Sequence, residues 1–425
     1  MGGLWDALRR AVDVKPGERA SLGLAFVMFF AVLASYFTVR PVREMMGASL
    51  PKGELAQLFT VVFLVMLAAV PVFGYIATRL PRRLVLPGVY GFFIFNLIAF
   101  SIAMRGVAPG GAVPAWLASA FFVWVSVYNL FVVSLFWSLM SDRWGSEQGT
   151  RLFGIISAGG TLGALAGPLI AGQLVGVIGT ANLALVSAAF LGAALVASFQ
   201  LGGDSVTAGI GRSAEPVTLA AVVEGATRVV RSPYLFRIAL VILLANLVST
   251  FFYLEQSRLV KATIASGTAQ VEFFASRDLI VSVATALVQL FGTATLLRTF
   301  GLTAALAALP VVCIGGLLVI GVLPTLAIVA GVMAFERIVA FALAGPAMRV
   351  LYTVVDPDEK YKAQNFIDTV VYRGGDALSG WMFAGFGALG LSVAVTIALT
   401  MPFAGAWLVA CLGLGRMQAA RARGT

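Results

Sequence analysis

Histidine is missing from this chain altogether, and cysteine occurs only twice, as Cys313 and Cys411. The first absence removes the commonest metal ligand and the side chain that most readily exchanges protons near neutral pH. The second excludes a disulfide scaffold or a thiolate metal site, and both cysteines fall in apolar stretches where a thiol behaves as a small hydrophobe. Charge is scarce too, with Asp, Glu, Lys and Arg making up 11% of the 425 residues. No P-loop, HExxH or GxSxG pattern and no catalytic carboxylate pair occurs, so neither an enzyme, a metal nor a cofactor is expected.

Apolar residues dominate what remains. They account for 60% of the chain, with a mean hydropathy of +0.98, more than polar surface can cover in water. About twelve stretches reach the ~20 residues that cross a bilayer. Six fall before a polar linker: Ser21 to Val39, Leu55 to Thr78, Leu84 to Met104, Ala115 to Met140, Leu152 to Ile178 and Ala181 to Leu201. Six follow it: Phe236 to Leu254, Phe273 to Leu296, Leu302 to Val322, Leu326 to Leu351, Phe366 to Leu389 and Leu391 to Leu414. Residues 1–201 are thus expected to form one six-helix bundle and 236–425 another, with 202–235 a cytoplasmic linker carrying an amphipathic helix.

The formal charge of +10 comes from Lys and Arg that gather in alternate breaks, as cytoplasmic loops of membrane proteins do. Both termini are therefore expected inside, and no nucleic-acid module accompanies the excess. The first twenty residues read as an amphipathic lead-in rather than a removable signal peptide.

The two halves repeat. Arg43 and Arg258 differ by 258 − 43 = 215, Gly159 and Gly374 by 374 − 159 = 215, and Arg83 and Arg298 by 298 − 83 = 215. Parallel repeats of this kind are a common transporter plan. The turn "GYIATRLPRR" is similar to the major-facilitator loop signature G-x-x-x-D-R-x-G-R-R at Gly74, Arg79, Arg82 and Arg83, with Thr78 in place of the acid and Pro81 in place of the second glycine. "GALAGPLIAG" is similar to that superfamily's fifth-span motif at Gly163, Gly167, Pro168 and Gly172. The expected fold is an all-α polytopic membrane protein of twelve helices in two six-helix repeats, major-facilitator-like.

Charge inside such helices is costly and so marks function. Arg40, Arg43 and Glu44 close the first span, Glu255, Arg258 and Lys261 the seventh, and Arg277 and Asp278 open the eighth. These positions fit a site rim or outer gate, or side chains snorkelling to the interface. Glu336 and Arg337 in the tenth span and Arg373 and Asp376 in the eleventh lie near mid-membrane, the last two spaced i, i+3 to pair on one face. The expected substrate group is Arg40, Arg43, Glu255, Arg258, Glu336, Arg337, Arg373 and Asp376. Arg79, Arg83, Asp142, Arg143, Lys360, Lys362 and Asp368 are expected to serve as gates or loop clamps. In the fourth span Trp124, Tyr128, Asn129, Ser134, Trp137 and Ser138 offer either a face to stack a base or ordinary packing.

"LYTVVDPDEKYKAQNFIDTVVYRGGDALSGW", with "SYFTVRPVRE" and "SLFW", resembles the ATP/ADP translocase family of bacteria and plastids, in particular its short bacterial branch. The resemblance implies exchange of ATP for ADP, or proton-coupled nucleotide uptake, in the bacterial inner membrane. It places Arg43 at a basic substrate-binding position, Glu255 near a functional acid, and Lys360 and Lys362 in a basic run before the eleventh helix. Gln364 and Asp376 depart from it, standing where classical exchangers carry lysines. The implied partners are a small anionic substrate such as ATP or ADP, protons and membrane lipids. Alternatives are proton-coupled movement of another organic solute through Glu255, Glu336 or Asp376, and a non-transporting scaffold or sensor.

Overall fold

A computed structural model describes residues 14–51, 53–79, 82–107, 113–201 and 219–422, all helix and short connections. In the first half these are α1 (Arg19–Ser49), α2 (Glu54–Arg79), α3 (Arg82–Arg105), α4 (Ala115–Arg143), α5 (Ser146–Ile178) and α6 (Thr180–Leu201). A short α7 (Leu219–Arg231) leads into α8 (Pro233–Thr263), α9 (Gly267–Phe291) and α10 (Thr293–Val322). Next, α11 (Leu326–Val339) runs through a π turn, Ala340–Ala344, into α12 (Gly345–Leu351). Likewise α13 (Pro357–Phe366) passes through a second π turn, Ile367–Val371, into α14 (Tyr372–Ala388), and α15 (Val393–Ala422) ends the chain.

With each π-linked pair counted once and α7 set aside, the described residues hold six long helical stretches in each half. By length and composition nine helices among them are apolar enough to cross a membrane. Phe95, Leu290, Phe291 and Val409 are 71%, 74%, 78% and 69% exposed on these helices. In water such a surface drives aggregation, whereas acyl chains cover it at no penalty. The chain is an all-α, multi-pass membrane protein.

The repeat survives at the level of elements. α1 and α8, each of 31 residues, start 233 − 19 = 214 apart, and α4 and α11 start 326 − 115 = 211 apart. It survives in packing as well. A Cβ on Gly160 would strike the Phe29 ring of α1, and one on Gly375 would crowd Leu243 of α8. Those pairs are related by 375 − 160 = 215 and 243 − 29 = 214.

Two compact units form. One gathers Met1–Met45, Tyr75–Ala214 and Ser266–Leu279, the other Met46–Gly74, Glu215–Ala265 and Ile280–Thr425. They differ from the consecutive stretches 1–201 and 236–425 by trading α2 against the start of α9. Small residues account for both seats: Gly380 of α14 lies against Ala56 and Phe59 of α2, and Gly172 and Gly176 of α5 against Ala275 and Glu272 of α9. In the first unit α5 presents Gly159, Gly160, Gly163 and Gly167 to Phe26–Phe37 of α1, close enough for backbone to meet backbone. The second unit has a core of Phe252, Cys313, Leu317, Trp407 and Cys411. There α7 docks on α13 and buries Val229, while Glu224 and Arg228 pair at 2.8 Å on its flank, so the linker helix is part of that unit.

A Cβ on Gly163 would lie 2.3 Å from the Phe30 carbonyl oxygen, whereas one on Gly23 would meet nothing within 4 Å. Gly163→Ala should therefore lower stability by about 1–3 kcal/mol in a detergent melt, as overpacking does, while Gly23→Ala leaves the midpoint where it is. Equal midpoints for the two variants would show that α1 and α5 do not approach as described.

Candidate functional site

The first unit buries charge where α1 meets α9. The sequence ends the first span at Val39, but the helix continues to Ser49 across Pro41, whose missing N–H leaves the Phe37 carbonyl without its helical donor. Arg40, Arg43 and Glu44 therefore lie inside a helix, and Glu44 is 2% exposed. Arg40 Nε is 3.5 Å from Asp278 Oδ2, and Arg277 Nη2 is 2.7 Å from Asp278 Oδ1. Arg43 Nη1 donates to Glu44 Oε1 at 3.0 Å, and its guanidinium lies 3.9 Å above the Phe122 ring. Phe37 and Phe274 sit similarly under Arg40 and Arg277. Three guanidinium groups thus share two carboxylates, on phenyl faces that keep the cations oriented.

Sequence reasoning placed Arg277 and Asp278 at a rim and left them out of the substrate group. At 4% and 2% exposed they are at the centre of this cluster. The available sign was a pair of opposite charges in an unbroken apolar run, "FFASRDLIVS".

The second unit holds the other expected residues. Arg258 grips Glu255 as a two-pronged fork, Nη2 to Oε1 at 2.5 Å and Nε to Oε2 at 2.9 Å. Lys261 donates to the carbonyls of Ser49 and Leu50 at 3.0 and 2.7 Å, capping the carboxyl end of α1. Deeper along α11, Glu336 is buried and accepts a 2.7 Å bond from Ser249. Arg373 and Asp376 approach to 3.5 Å. Arg373 lies 5.4 Å from the centre of the Tyr372 ring, and the field of Glu336, Arg337 and Asp376 reaches that ring as well.

The expected clamps are partly visible. Arg143 donates to the Leu201 carbonyl and, at 2.8 Å, to Ser21, tying α4 to α6 and α1. Asp142 is exposed at the same end of α4. Asp368 lies in the second π turn, bonded to Gln364 and within the field of Arg349, so Gln364 is engaged there. The Lys360 amide caps Asp356 on the first turn of α13. The side chains of Arg79, Arg83 and Lys362 lie outside the described residues.

Three fourth-span aromatics, Trp124, Tyr128 and Trp137, take part in ring packing. Tyr128 is fully buried, stacks on Trp124 at 5.0 Å and hydrogen-bonds Ser35 at 2.5 Å. Trp137 wedges against Phe29, Phe136 and Phe153.

No protein-family model and no curated protein matches the chain. Solved structures do. A bacterial homologue of the iron transporter ferroportin, in its inward-facing state, aligns over 93% of this chain and 98% of its own with a TM-score of 0.65 at 12% identity. A POT family transporter in complex with 5-aminolevulinic acid aligns over 94% and 96% with a TM-score of 0.62 at 13% identity. The nucleoside transporter NupG aligns over 93% and 98% with a TM-score of 0.59 at 14% identity. At such identities the likeness defines the fold, which is that of major-facilitator-type transporters.

The two charged pairs should respond differently to mutation. Asp278→Leu takes from Arg277 and Arg40 the buried carboxylate they share and should destabilise by about 3–5 kcal/mol, with part regained on adding Arg277→Met. Arg373 and Asp376 keep 29% and 25% of their side-chain surface. Their separation should thus cost no more than about 1 kcal/mol. A detergent unfolding series on the single and double variants measures both, and equal costs would contradict the difference in burial.

Just ahead of α1, Glu18 accepts bonds from Gln148 and the Lys15 amide and faces Arg151 at 3.3 Å. Gln148 first, then Lys15 and Arg151, hold its carboxyl below the usual range. Its stabilising contribution is therefore complete above the ordinary carboxylate pKa and disappears as pH falls through the lowered folded value. Glu18→Gln should flatten that acid limb in a pH series of melting temperatures, and an unchanged limb would remove Glu18 as its source.

Proposed function

We propose that this chain is a secondary transporter that carries an organic anion across the bacterial inner membrane by alternating access, with both termini cytoplasmic. The observation that carries the reading is the gathering of three largely enclosed guanidinium groups, Arg40, Arg43 and Arg277, around two carboxylates on α1 and α9, in a transporter fold. A guanidinium held flat on a phenyl ring, with water largely excluded, binds carboxylate or phosphate oxygens in a directional way and contributes more than it would in solvent. On this reading Arg40, Arg43, Arg258 and Arg373 are anion-binding residues, with Glu255 and Asp376 holding the last two until the anion displaces them. Protons and surrounding lipid are its other partners, with no nucleic acid, metal or cofactor.

ATP/ADP exchange is the substrate reading to test first, because the sequence resemblance supports it. Asp376 opposes a polyphosphate, and Gln364 supplies no charge, so affinity should fall below that of an exchanger with lysines at those positions. A second reading has its own observation: Glu336 is a buried carboxylate bonded to one serine, which suits a proton-coupling group for another organic solute.

Counter-flow in proteoliposomes decides. Internal ADP should drive uptake of labelled ATP, weakened by salt, abolished in Arg43→Gln and Arg258→Gln, and improved in Asp376→Lys. If no variant moves nucleotide while another anion accumulates along a proton gradient, the proton-coupled reading replaces exchange. Absence of flux for every anion and gradient, with binding retained, would leave the scaffold or sensor reading.

A further inference from the structure

Two helices of the second unit are interrupted close to their charged residues. At Ala340–Ala344 the Gly345 N–H reaches back to the Ala340 carbonyl, and at Ile367–Val371 the Tyr372 N–H reaches the Ile367 carbonyl. These i→i+5 bonds each take one extra residue into a turn, and such turns loosen the bonding of neighbouring carbonyls. Side chains from other helices supply donors there. Gln289 of α9 donates to the Phe341 carbonyl at 3.1 Å, and Thr293, opening α10, to the Ala342 carbonyl at 2.6 Å. Asn246 of α8 donates to the Tyr372 carbonyl at 2.6 Å. The corresponding first-half helices, α4 and α5, run as continuous α-helix.

The extra residue changes which way the charges face. Ile367 and Gly375 are both buried and eight residues apart. In an unbroken α-helix that spacing leaves them roughly 80° out of line, whereas absorbing one residue brings them to about two full turns. Gly375 then fits against Asn246 and Leu243. Arg373 and Asp376, on the same first turns, are aimed by that choice of register. Glu336 and Arg337 immediately precede the other π turn.

We infer that Asn246, Gln289 and Thr293 are positioning residues, whose hydrogen bonds hold the two π turns and so fix the faces on which Glu336, Arg337, Arg373 and Asp376 converge. The importance of that convergence rests on the transport reading above, but the positioning itself is measurable without any substrate.

The test uses the full chain with Cys313→Ala and Cys411→Ala, carrying Asp376→Cys as a reporter for a charged thiol reagent. Asn246→Leu should change the labelling rate about tenfold or more and speed amide exchange selectively across 367–376. Thr293→Val should speed exchange across 340–347, and Thr293→Ser, which keeps the hydroxyl, should restore the wild-type pattern. Gln289→Leu should act as Thr293→Val does. If Asn246→Leu alters neither labelling nor local exchange, or if Thr293→Ser behaves like Thr293→Val, the inference is overturned. Should the reporter protein lose its fold, exchange measured on the single variants alone decides in the same way. Failure of the transport reading would instead appear as no flux in the wild type, with these local responses intact.

Discussion

A guanidinium inside an apolar helix bundle has few permitted surroundings, and the structure is arranged around meeting that demand. Stripping water from such an ion costs several kcal/mol unless carboxylates, carbonyls or aromatic faces replace the lost hydration. Arg277 finds Asp278 and Phe274, Arg43 finds Glu44 and Phe122, and Arg40 finds Asp278 and Phe37. Each arrangement restricts the helices involved. Arg40 can reach Asp278 only if α9 begins beside α1, and that in turn requires the small residues of α5 that seat Ala275 and Glu272. Electrostatics and close helix packing are therefore one constraint here, since a bulky side chain at Gly172 or Gly176 would displace the carboxylate partner of Arg40.

Much of this was legible from spacing. The 215-residue offset identified Gly160 and Gly375 as equivalents, and the structure gives them equivalent neighbours in Phe29 and Leu243. Apolar run length located the long helices, but several of their ends lie six to ten residues beyond the runs, as with Val39 against Ser49 and Leu254 against Thr263. Where the reading stopped short, the physics was non-local. Val39 ended the first span because Arg40 follows it, yet burial against α9 lets that helix carry charge for three more turns. The exchange of α2 and the start of α9 between units depends on glycines in α14 and α5, far away in sequence. The π turns were invisible because a shift of one residue leaves apolar composition and length unchanged.

The units also differ in how their charge is balanced. Around α1 and α9, three arginines gather on two carboxylates, whereas Arg373 on α14 is matched by its own acid, Asp376. A cluster richer in guanidinium than in carboxylate attracts any anion of suitable size, and discriminates little among them. A balanced cluster behaves oppositely, because inserting a ligand there must break or rearrange an existing pair, and only a ligand that satisfies both freed partners recovers the loss. On the transport reading, attraction and selection would then belong to different residues.

That division bears on the departure at Asp376. Within a balanced set it is the natural partner of Arg373, at 3.5 Å and on the same helix face. A lysine there would leave Arg373 beside a second cation, tolerable only with phosphate bound for much of the cycle. On the transport reading, Asp376 would instead let the site stay neutral when empty, which favours a substrate of low charge and an empty carrier that returns without one. Strict exchangers require the reverse, an empty state too unfavourable to cross. On the transport reading proposed above, the acid at this position is thus the residue on which the choice between obligatory exchange and one-way movement would turn.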